Sequence, residues 1–366
     1  MNVQYVYGTG DERVHVPQLM GFSRPDQLQG TVQECLIELC GRVCYDSLGT
    51  EKSRASGPFH LNLVNHKHYS VHEAVHITIE TTLPLDPWFG IPDISACLAP
   101  EGGKARLTFN LRHAIEWPKC VTCTWWKAED KDMVELVAHW ALLLRNVLRK
   151  VAPQLLPALP PLNFNANPIH PYEISEEPQV AGEAFVSLFL EDSRVFSHEM
   201  VRHRGNVSQR SGRFVDETDR ANCIHPLFRD YLNECGFLNE SGEADGMWEG
   251  GTIDDQEIVV RTNLGNAVGS LNAQARMVYI SLVDALEPYA MQKLGLSALD
   301  ARKQARSAAR YYLGNGLSTE MIFTASIRHW RHIFEMRTPL AADAAIRGVM
   351  AEAQEIVLRS RYGKLL

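Results

Sequence analysis

The sequence reads as an α+β protein on three observations. Residues Val75–Glu80 and Ala184–Leu190 alternate apolar and other side chains, the period of a strand. Over Gln29–Tyr45 and Met133–Val151 the apolar residues instead recur every third and fourth position, the period of a helix. Between these regions Pro153, Pro157, Pro160, Pro161, Pro168 and Pro171 make a linker too proline-dense for a helix or a central strand.

The elements follow in order. In the first helix Val32, Leu36, Ile37, Cys40 and Val43 should face the core, and the apolar pattern resumes over 60–68 with Leu61, Leu63 and Val64. Ser70 and Glu73 have the spacing of a capping box, and Val75–Glu80 then alternates as a strand. Gly102-Gly103 precedes a short strand, Ala105–Asn110, and the Met133–Val151 helix carries a broad stripe that includes Trp140, Leu144 and Leu148. Val186, Leu188 and Leu190 form one strand face, and Asp192 or Ser193 caps the helix that runs into Arg202. Residues 239–257, acidic and glycine-rich, read as a mobile surface loop. Helices follow at about Ile258–Leu286, from Ser297 through Arg310 to Leu313, and from Pro339 onward.

Composition narrows the function. A chain of 366 residues can bury one large core or two smaller ones. Lys+Arg of 36 against Asp+Glu of 44 gives a net charge of −8, which argues against wholesale binding to nucleic acid or anionic membrane. There is no signal-peptide pattern and no apolar run of membrane-spanning length, and eight scattered cysteines suit a reduced, cytoplasmic protein.

Against that acidic background, Arg202-His203-Arg204-Gly205-Asn206-Val207-Ser208-Gln209-Arg210-Ser211-Gly212-Arg213-Phe214 is strongly basic. Arginine offers a planar fork of donors that fits phosphate or carboxylate, glycine admits close backbone approach, and serine adds a neutral donor. The stretch reads as a loop for an anionic ligand, entered from a helix; a solvated basic turn or a nucleic-acid contact is the alternative. His66, His68, His72 and His76 crowd together without an HExxH pattern, so a histidine bonding a cofactor is a better reading than a metal site. The lone Cys120-x-x-Cys123 reads as two buried thiols. On a helix through Thr324–Arg337, Arg328, His332 and Glu335 share one face, either a solvated row or a ligand wall.

Arg202-His203-Arg204 followed by Ser-Gln-Arg-Ser-Gly-Arg-Phe resembles the signature loop of flavin-dependent thymidylate synthases. The resemblance extends in order to Arg42–Ser47 (RVCYDS), His68–Glu73 (HxSxxE), Ala309–Leu313 (ARxxL) and the helix 328–337. It implies an α+β fold with a mixed sheet flanked by helices. Residues 1–80 and 183–366 would form the catalytic core, and 81–182 an insertion of strand, helix and Pro-rich linker. The implied reaction is FAD-dependent methylation of a pyrimidine nucleotide at C5, dUMP to dTMP, with methylenetetrahydrofolate and NADPH as co-substrates, in a homotetramer whose sites are shared between subunits. UMP or another modified pyrimidine nucleotide is the alternative substrate, and a non-catalytic flavin- or nucleotide-binding relative the alternative class.

Carried over position by position, the resemblance places His68, Ser70, Glu73, Arg202, His203, Arg204, Arg328 and His332 at the flavin. It places Glu199, Arg202, Gln209, Ser211, Gly212, Arg213 and Arg337 at the nucleotide, joined by Arg310 of another subunit, with Arg337 and Ser211 as the catalytic pair. The chain departs from the family pattern in lacking one residue between Arg204 and Ser211, and in carrying Glu199 where glutamine is common. With dUMP as substrate, Glu199 must pair with an arginine such as Arg202, because an ionised carboxylate repels a phosphate or carbonyl. Gly314, Ser326 and Ala341 are further departures.

Overall fold

The computed structural model describes residues 2–17, 28–47, 55–88, 95–98, 104–122, 131–159, 161, 170–175, 177–234 and 255–366. Among them the strands are β1 (Asn2–Gly8), β2 (His76–Thr81), β3 (Ser95–Leu98), β4 (Ala105–Asn110), β5 (Tyr172–Ser175), β6 (Phe185–Ser193), β7 (Asn206–Gln209) and β8 (Ser318–Ser326). The helices are α1 (Val32–Tyr45), α2 (Ser56–Asn65), α3 (Leu111–Thr122), α4 (Lys131–Val151), α5 (Arg194–Met200), α6 (Pro226–Asn233), α7 (Asp255–Leu294), α8 (Ala298–Ala309), α9 (Ile327–Arg337) and α10 (Ala344–Arg359).

The strands form two four-stranded sheets, β1-β6-β8-β7 and β3-β4-β2-β5. The α+β class holds, but every paired strand runs antiparallel to its neighbour, so the expected single mixed sheet is two antiparallel ones. The block 81–182, expected as an insertion, shares its sheet with the residues before it, since β2 lies between β4 and β5. It shares their core too: Leu36 and Ile37 of α1, Ile79, Leu107, Phe109, Trp117 and Trp140 belong to one buried cluster.

A second cluster joins Val186, Leu188 and Leu190 of β6 and Met321 and Phe323 of β8 to Trp330 and Met350 of the helices. Phe189 and Ile322, on the opposite face of the same strands, belong to the first cluster. The β6–β8 pair is therefore apolar on both faces. That is why β8 escapes the alternation test: all nine of its residues are buried, its Ser, Thr and Glu included. Thr324–Ser326, expected at the start of the helix through Arg337, are instead the end of this strand, and helix α9 begins only at Ile327, capped by Ser326.

Several local expectations need correction. Ser70 and Glu73 make no capping box, because Tyr69–Ala74 is a short 3₁₀ turn that starts after His68 with no side-chain cap. The capping box forms instead at α1, between Thr31 and Glu34. Of the two caps left open for α5, Asp192 and Ser193, it is Ser193 that accepts from Phe196 N. The last helix starts after Asp343, its cap, rather than at Pro339. The long helix runs Asp255–Leu294, and the part of the acidic loop before 255 lies outside the described residues, as do the side chains of Cys120 and Cys123.

Three buried histidines give the fold an acid-side limit. Burial pushes His60 down to about 4, and His72 and His76 each down to about 3. The unfolded chain therefore takes up protons first as the pH falls below ~6.5, the ordinary histidine value. The stability contributed by these groups is complete above that pH and declines toward pH 4. Thermal melting followed by circular dichroism should show Tm falling steadily between pH 6.5 and 4.5; a flat profile would show the imidazoles to be solvated.

Candidate active site

The basic stretch is not one loop. Its middle, Asn206–Gln209, is the edge strand β7, paired with Thr324–Met321 of β8. Gly205 enters that strand against β8, where a Cβ would come within 2.5 Å of the Phe323 ring and 2.9 Å of the Thr324 carbonyl, so no larger residue fits without movement. Four residues of strand span ~10 Å. A cleft opens at each end.

The cleft at the Asn206 end, about 540 Å³, is lined by Glu73, His76, Asn110, Phe185, His203, Arg204, Ser326, Arg328 and His329 among others. Arg204 and Arg328 are exposed cations. Asn206 anchors the wall, donating from Nδ2 to the Ser70 carbonyl at 2.9 Å and to Glu73 at 3.3 Å, while Glu73 also pairs with Arg112. The Asn206 side-chain oxygen, Oδ1, is buried with no partner among the described residues. An acceptor left so costs on the order of 1–3 kcal/mol unless a ligand or water meets it.

The cleft at the Gln209 end, about 360 Å³, is lined by Arg194, His198, Gln209, Arg210, Ser211, Gly212, Arg213 and Arg310. Arg310 thus stands beside Arg213 within one chain, whereas the resemblance brought it from another subunit; α7 and α8 carry it back across the sheet end to the loop. The arginines are ordered by carboxylates beneath. Glu217, 2% exposed, lies 3.6 Å from Arg194 and 3.8 Å from Arg210, and Arg210 also reaches Asp46 at 3.0 Å. Burial pushes the Glu217 carboxyl up, against the pull of Arg210, Arg194 and Arg220. A Cβ on Gly212 would sit 2.9 Å from the Arg194 guanidinium and 3.0 Å from Glu217, so glycine lets the loop lie on this pair. Arg210 is buried in the network, while Arg213 projects into solvent. Gln209 donates to Ser197 at 3.0 Å and Thr319 at 3.2 Å, which fixes the strand end.

Helix α5 faces two ways. Arg194 and His198 line the second cleft, and neither was singled out from sequence, since each looks like a solvated helix residue. Glu199 points the other way. Its carboxylate takes a 2.7 Å bond from Arg337 of α9, and Arg337 Nε donates to His203 Nε2 at 2.9 Å. The expected partner Arg202 is exposed and lines neither cleft. An arginine donating to Nε2 requires a neutral His203, and burial, then Arg337 and His332, hold its pKa below the ordinary value.

Four expected flavin residues, His68, Ser70, Arg202 and His332, do not line the Asn206-side cleft. His68 Nδ1 bonds the Tyr45 hydroxyl, and the Tyr45 ring packs edge-on against Phe214 with centroids 5.0 Å apart, on the Gln209–Arg213 side of the strand. His332 is exposed on α9 near His203. Among the described residues no His/Cys/Asp/Glu group is arranged to hold a metal ion, and no helix is long and apolar enough to cross a membrane.

Comparison with known proteins decides the family. The model of the thymidylate synthase complementing protein family matches residues 179–360, the stretch that carries both clefts' basic residues. The chain belongs to the flavin-dependent thymidylate synthase family. Similar relatives named flavin-dependent thymidylate synthase include that of Mycobacterium tuberculosis strain H37Rv, 31% identical over 176 residues, covering 47% of this chain and 57% of that protein. That of Mycobacterium avium is 32% identical over the same length and shares, and that of Mycobacteroides abscessus 31% identical over 156 residues, 42% of this chain and 50% of that protein. The chain thus spans just over half the length of these relatives. A crystal structure of flavin-dependent thymidylate synthase ThyX from Helicobacter pylori with FAD and dUMP aligns over 50% of this chain and 71% of that chain, at 14% identity and a TM-score of 0.28. So loose a likeness carries no argument about the site. Family membership rests on the 179–360 match.

Proposed function

We propose that the protein binds FAD in the Asn206-side cleft and a pyrimidine nucleotide monophosphate, dUMP, in the Gln209-side cleft, and methylates the nucleotide at C5. The observation that carries this reading is the placing of two basic clefts at opposite ends of one four-residue strand, within the stretch that matches the family. In the net reaction the C5 hydrogen of dUMP gives way to a methyl group. Methylenetetrahydrofolate supplies the carbon, NADPH supplies the hydride, and tetrahydrofolate and NADP⁺ are released.

The residues present suit both ligands. A nucleotide phosphate is a dianion that wants forked arginines and backbone N–H groups, and Arg194, Arg213 and Arg310 converge with the Ser211–Gly212 turn. The first cleft offers Arg204 and Arg328 to a pyrophosphate and an unpartnered Asn206 acceptor to a ring N–H. FAD, when bound, supplies hydride transfer, and the chain binds, orients and holds charge. Arg337 is held by Glu199 and His203 through Nη1 and Nε. Arg337 lines neither cleft, so its place at the uracil carbonyl, where a fixed cation would favour the negative charge that develops as C5 becomes nucleophilic, is carried over from the family resemblance. Ser211 belongs to the same reacting region.

Apolar side chains on the α7–α8 arm, Leu271, Met277, Leu294, Leu299 and Tyr311 among them, are exposed and support assembly into a homotetramer. The described cysteines, Cys35, Cys40, Cys44 and Cys223, are free thiols, in keeping with work in the cytoplasm.

The Glu199–Arg337 pair bears on the choice of nucleotide. A carboxylate so engaged has no call on a ribose 2′-hydroxyl, which favours dUMP over UMP. Glu199→Gln keeps a hydrogen bond to Arg337 and should leave dUMP and UMP affinities each within about threefold of the parent protein, less than the ~1.4 kcal/mol of a tenfold change. Titration calorimetry with both nucleotides decides: a loss confined to UMP would assign Glu199 to the 2′-hydroxyl and reverse the preference.

A further inference from the structure

The two sheets are the same object built twice. Aligning His76 of β2 with Phe185 of β6 brings the other pairings into register, apart from a bulge between Tyr5 and Tyr7 of β1 that β5 lacks. His76 faces Asn110 as Phe185 faces Ser326, and Thr78 faces Thr108 as Ser187 faces Thr324. Both of the latter pairs are buried hydroxyl–hydroxyl hydrogen bonds, at 2.8 and 2.7 Å. On one flank Tyr172 of β5 sits opposite Thr81 as Val3 of β1 sits opposite Leu190. On the other, Ser95–Leu98 of β3 run along Thr108–Ala105 as Asn206–Gln209 of β7 run along Thr324–Met321.

The correspondence continues into the helices. Leu111 N bonds the Val75 carbonyl at 2.9 Å, and Ile327 N bonds the Ala184 carbonyl at 2.8 Å. Asn110 caps α3 through His113 N at 3.2 Å, and Ser326 caps α9 through His329 N at 3.3 Å. Even the local sequences agree, Asn-Leu-Arg-His over 110–113 and Ser-Ile-Arg-His over 326–329. The edge strands are exchanged: β1, which precedes the first unit, completes the second unit's sheet, and β5, which precedes the second, completes the first's.

Equivalent residues meet where the units touch. The His76 and Phe185 rings stack with centroids 3.5 Å apart and planes 8° from parallel, an arrangement compatible with a two-fold axis between them. Around it, the Asn206-side cleft takes His76 and Asn110 from one unit and Phe185 and Ser326 from the other. Arg112 matches Arg328, but the basic loops are not duplicated. Residues 194–205, with α5 and Arg204, and 210–317, with Arg213 and Arg310, join β6 to β7 and β7 to β8, whereas the shorter 82–94 and 99–104 join β2 to β3 and β3 to β4.

We propose that residues 69–122 are a second, divergent copy of the unit built by 184–337, joined to it about a pseudo-two-fold axis at the His76–Phe185 stack, and that this copy serves as a built-in partner whose His76 and Asn110 form the second wall of the flavin cleft. The ligand in this statement rests on the function proposed above; the duplication does not. One chain then carries one flavin, because only the C-terminal copy has the basic loops.

Three measurements on the full chain separate these points. In a His76→Cys/Phe185→Cys variant treated with a short bis-maleimide, peptide mass spectrometry should find residues 76 and 185 linked within single chains. Absence of that link overturns the two-fold arrangement whether or not flavin binds. In the parent protein, FAD released by denaturation should saturate at one per chain, and two per chain would overturn the asymmetry. His76→Ala should weaken FAD binding at least tenfold, and His76→Phe, which restores the stack and copies the other unit, should recover the melting temperature and most of the affinity. FAD affinity within twofold of the parent in His76→Ala removes the wall. A parent protein that is correctly cross-linked in the double variant but takes up no FAD refutes the functional reading and the flavin wall, and leaves the duplication standing.

Discussion

Arg106→Met should lower the folding free energy by about 3–5 kcal/mol, the range for stripping one partner from a buried ion pair. Arg106 meets Glu183 with two parallel bonds, Nε at 3.0 Å and Nη2 at 2.8 Å, and also pairs with Glu80. The Arg106 and Glu183 side chains are 7% and 3% exposed, so water cannot replace the lost partner. The pair also ties β4 of the first sheet to the segment that leads into β6 of the second. Burial pushes the Glu183 carboxyl up, but Arg106 and the backbone N–H groups of Gln179 and Val180 outweigh it and hold the group below the usual carboxylate range. The stability gained is thus complete above ~pH 4, the unfolded carboxylate value, and is lost as the pH falls through the lower folded value. Urea unfolding at pH 7 measures the loss. An Arg106→Met/Glu183→Gln double variant should regain much of it, since the charge left unpaired, Glu80, is 26% exposed and reaches water, and a deficit under 1 kcal/mol in the single variant would mean the pair is screened by solvent.

Arg213→Ala should weaken nucleotide binding by about 1.5–3 kcal/mol, roughly ten- to a hundredfold in Kd, the range for a charge-assisted hydrogen bond to phosphate. Arg213 is exposed at the mouth of the second cleft and has no carboxylate partner among the described residues, so the variant leaves no orphaned charge in the fold. Its loss should be read almost purely in affinity, with Tm unchanged. Arg310→Ala should behave alike. Flavin content should stay constant in both, because the FAD cleft lies at the other end of β7. Unaltered dUMP affinity together with lost flavin would show the two ligands assigned to the wrong clefts.

What could be read from the sequence follows from where each element sits. Ala105–Asn110 and the Ser193 cap were legible because their signals are local: a short β-rich run after Gly-Gly, and a serine before a helical stripe. Strand β8 was not, because a strand buried on both faces has no period to detect. Nor were β1 and β5, whose place in the sheets is set by partners far along the chain. The clustering of the candidate residues was legible by residue type. Gln209, Ser211, Gly212, Arg213 and Arg310 do come together, as do Glu73, His203, Arg204 and Arg328. Direction was not legible. Arg194 and His198 reach the anion cleft because α5 turns that face toward it, and Glu199 finds Arg337 only because α9 packs alongside. Arg210, one basic residue among several in the loop, turned inward to the buried carboxylates Glu217 and Glu320.

Nucleotide-triggered reoxidation of the bound flavin tests the central claim most directly. The purified protein, loaded with FAD, is reduced anaerobically with NADPH and mixed with methylenetetrahydrofolate and dUMP while the flavin absorbance near 450 nm is followed (roughly the region where any oxidised flavin absorbs, its chemistry being the cofactor's own). The yellow colour should return only when dUMP and the folate are both present, dTMP should form in equal amount, and Arg213→Ala should need more dUMP for the same rate. A protein that takes up no FAD, or whose reduced flavin is indifferent to dUMP, contradicts the central claim.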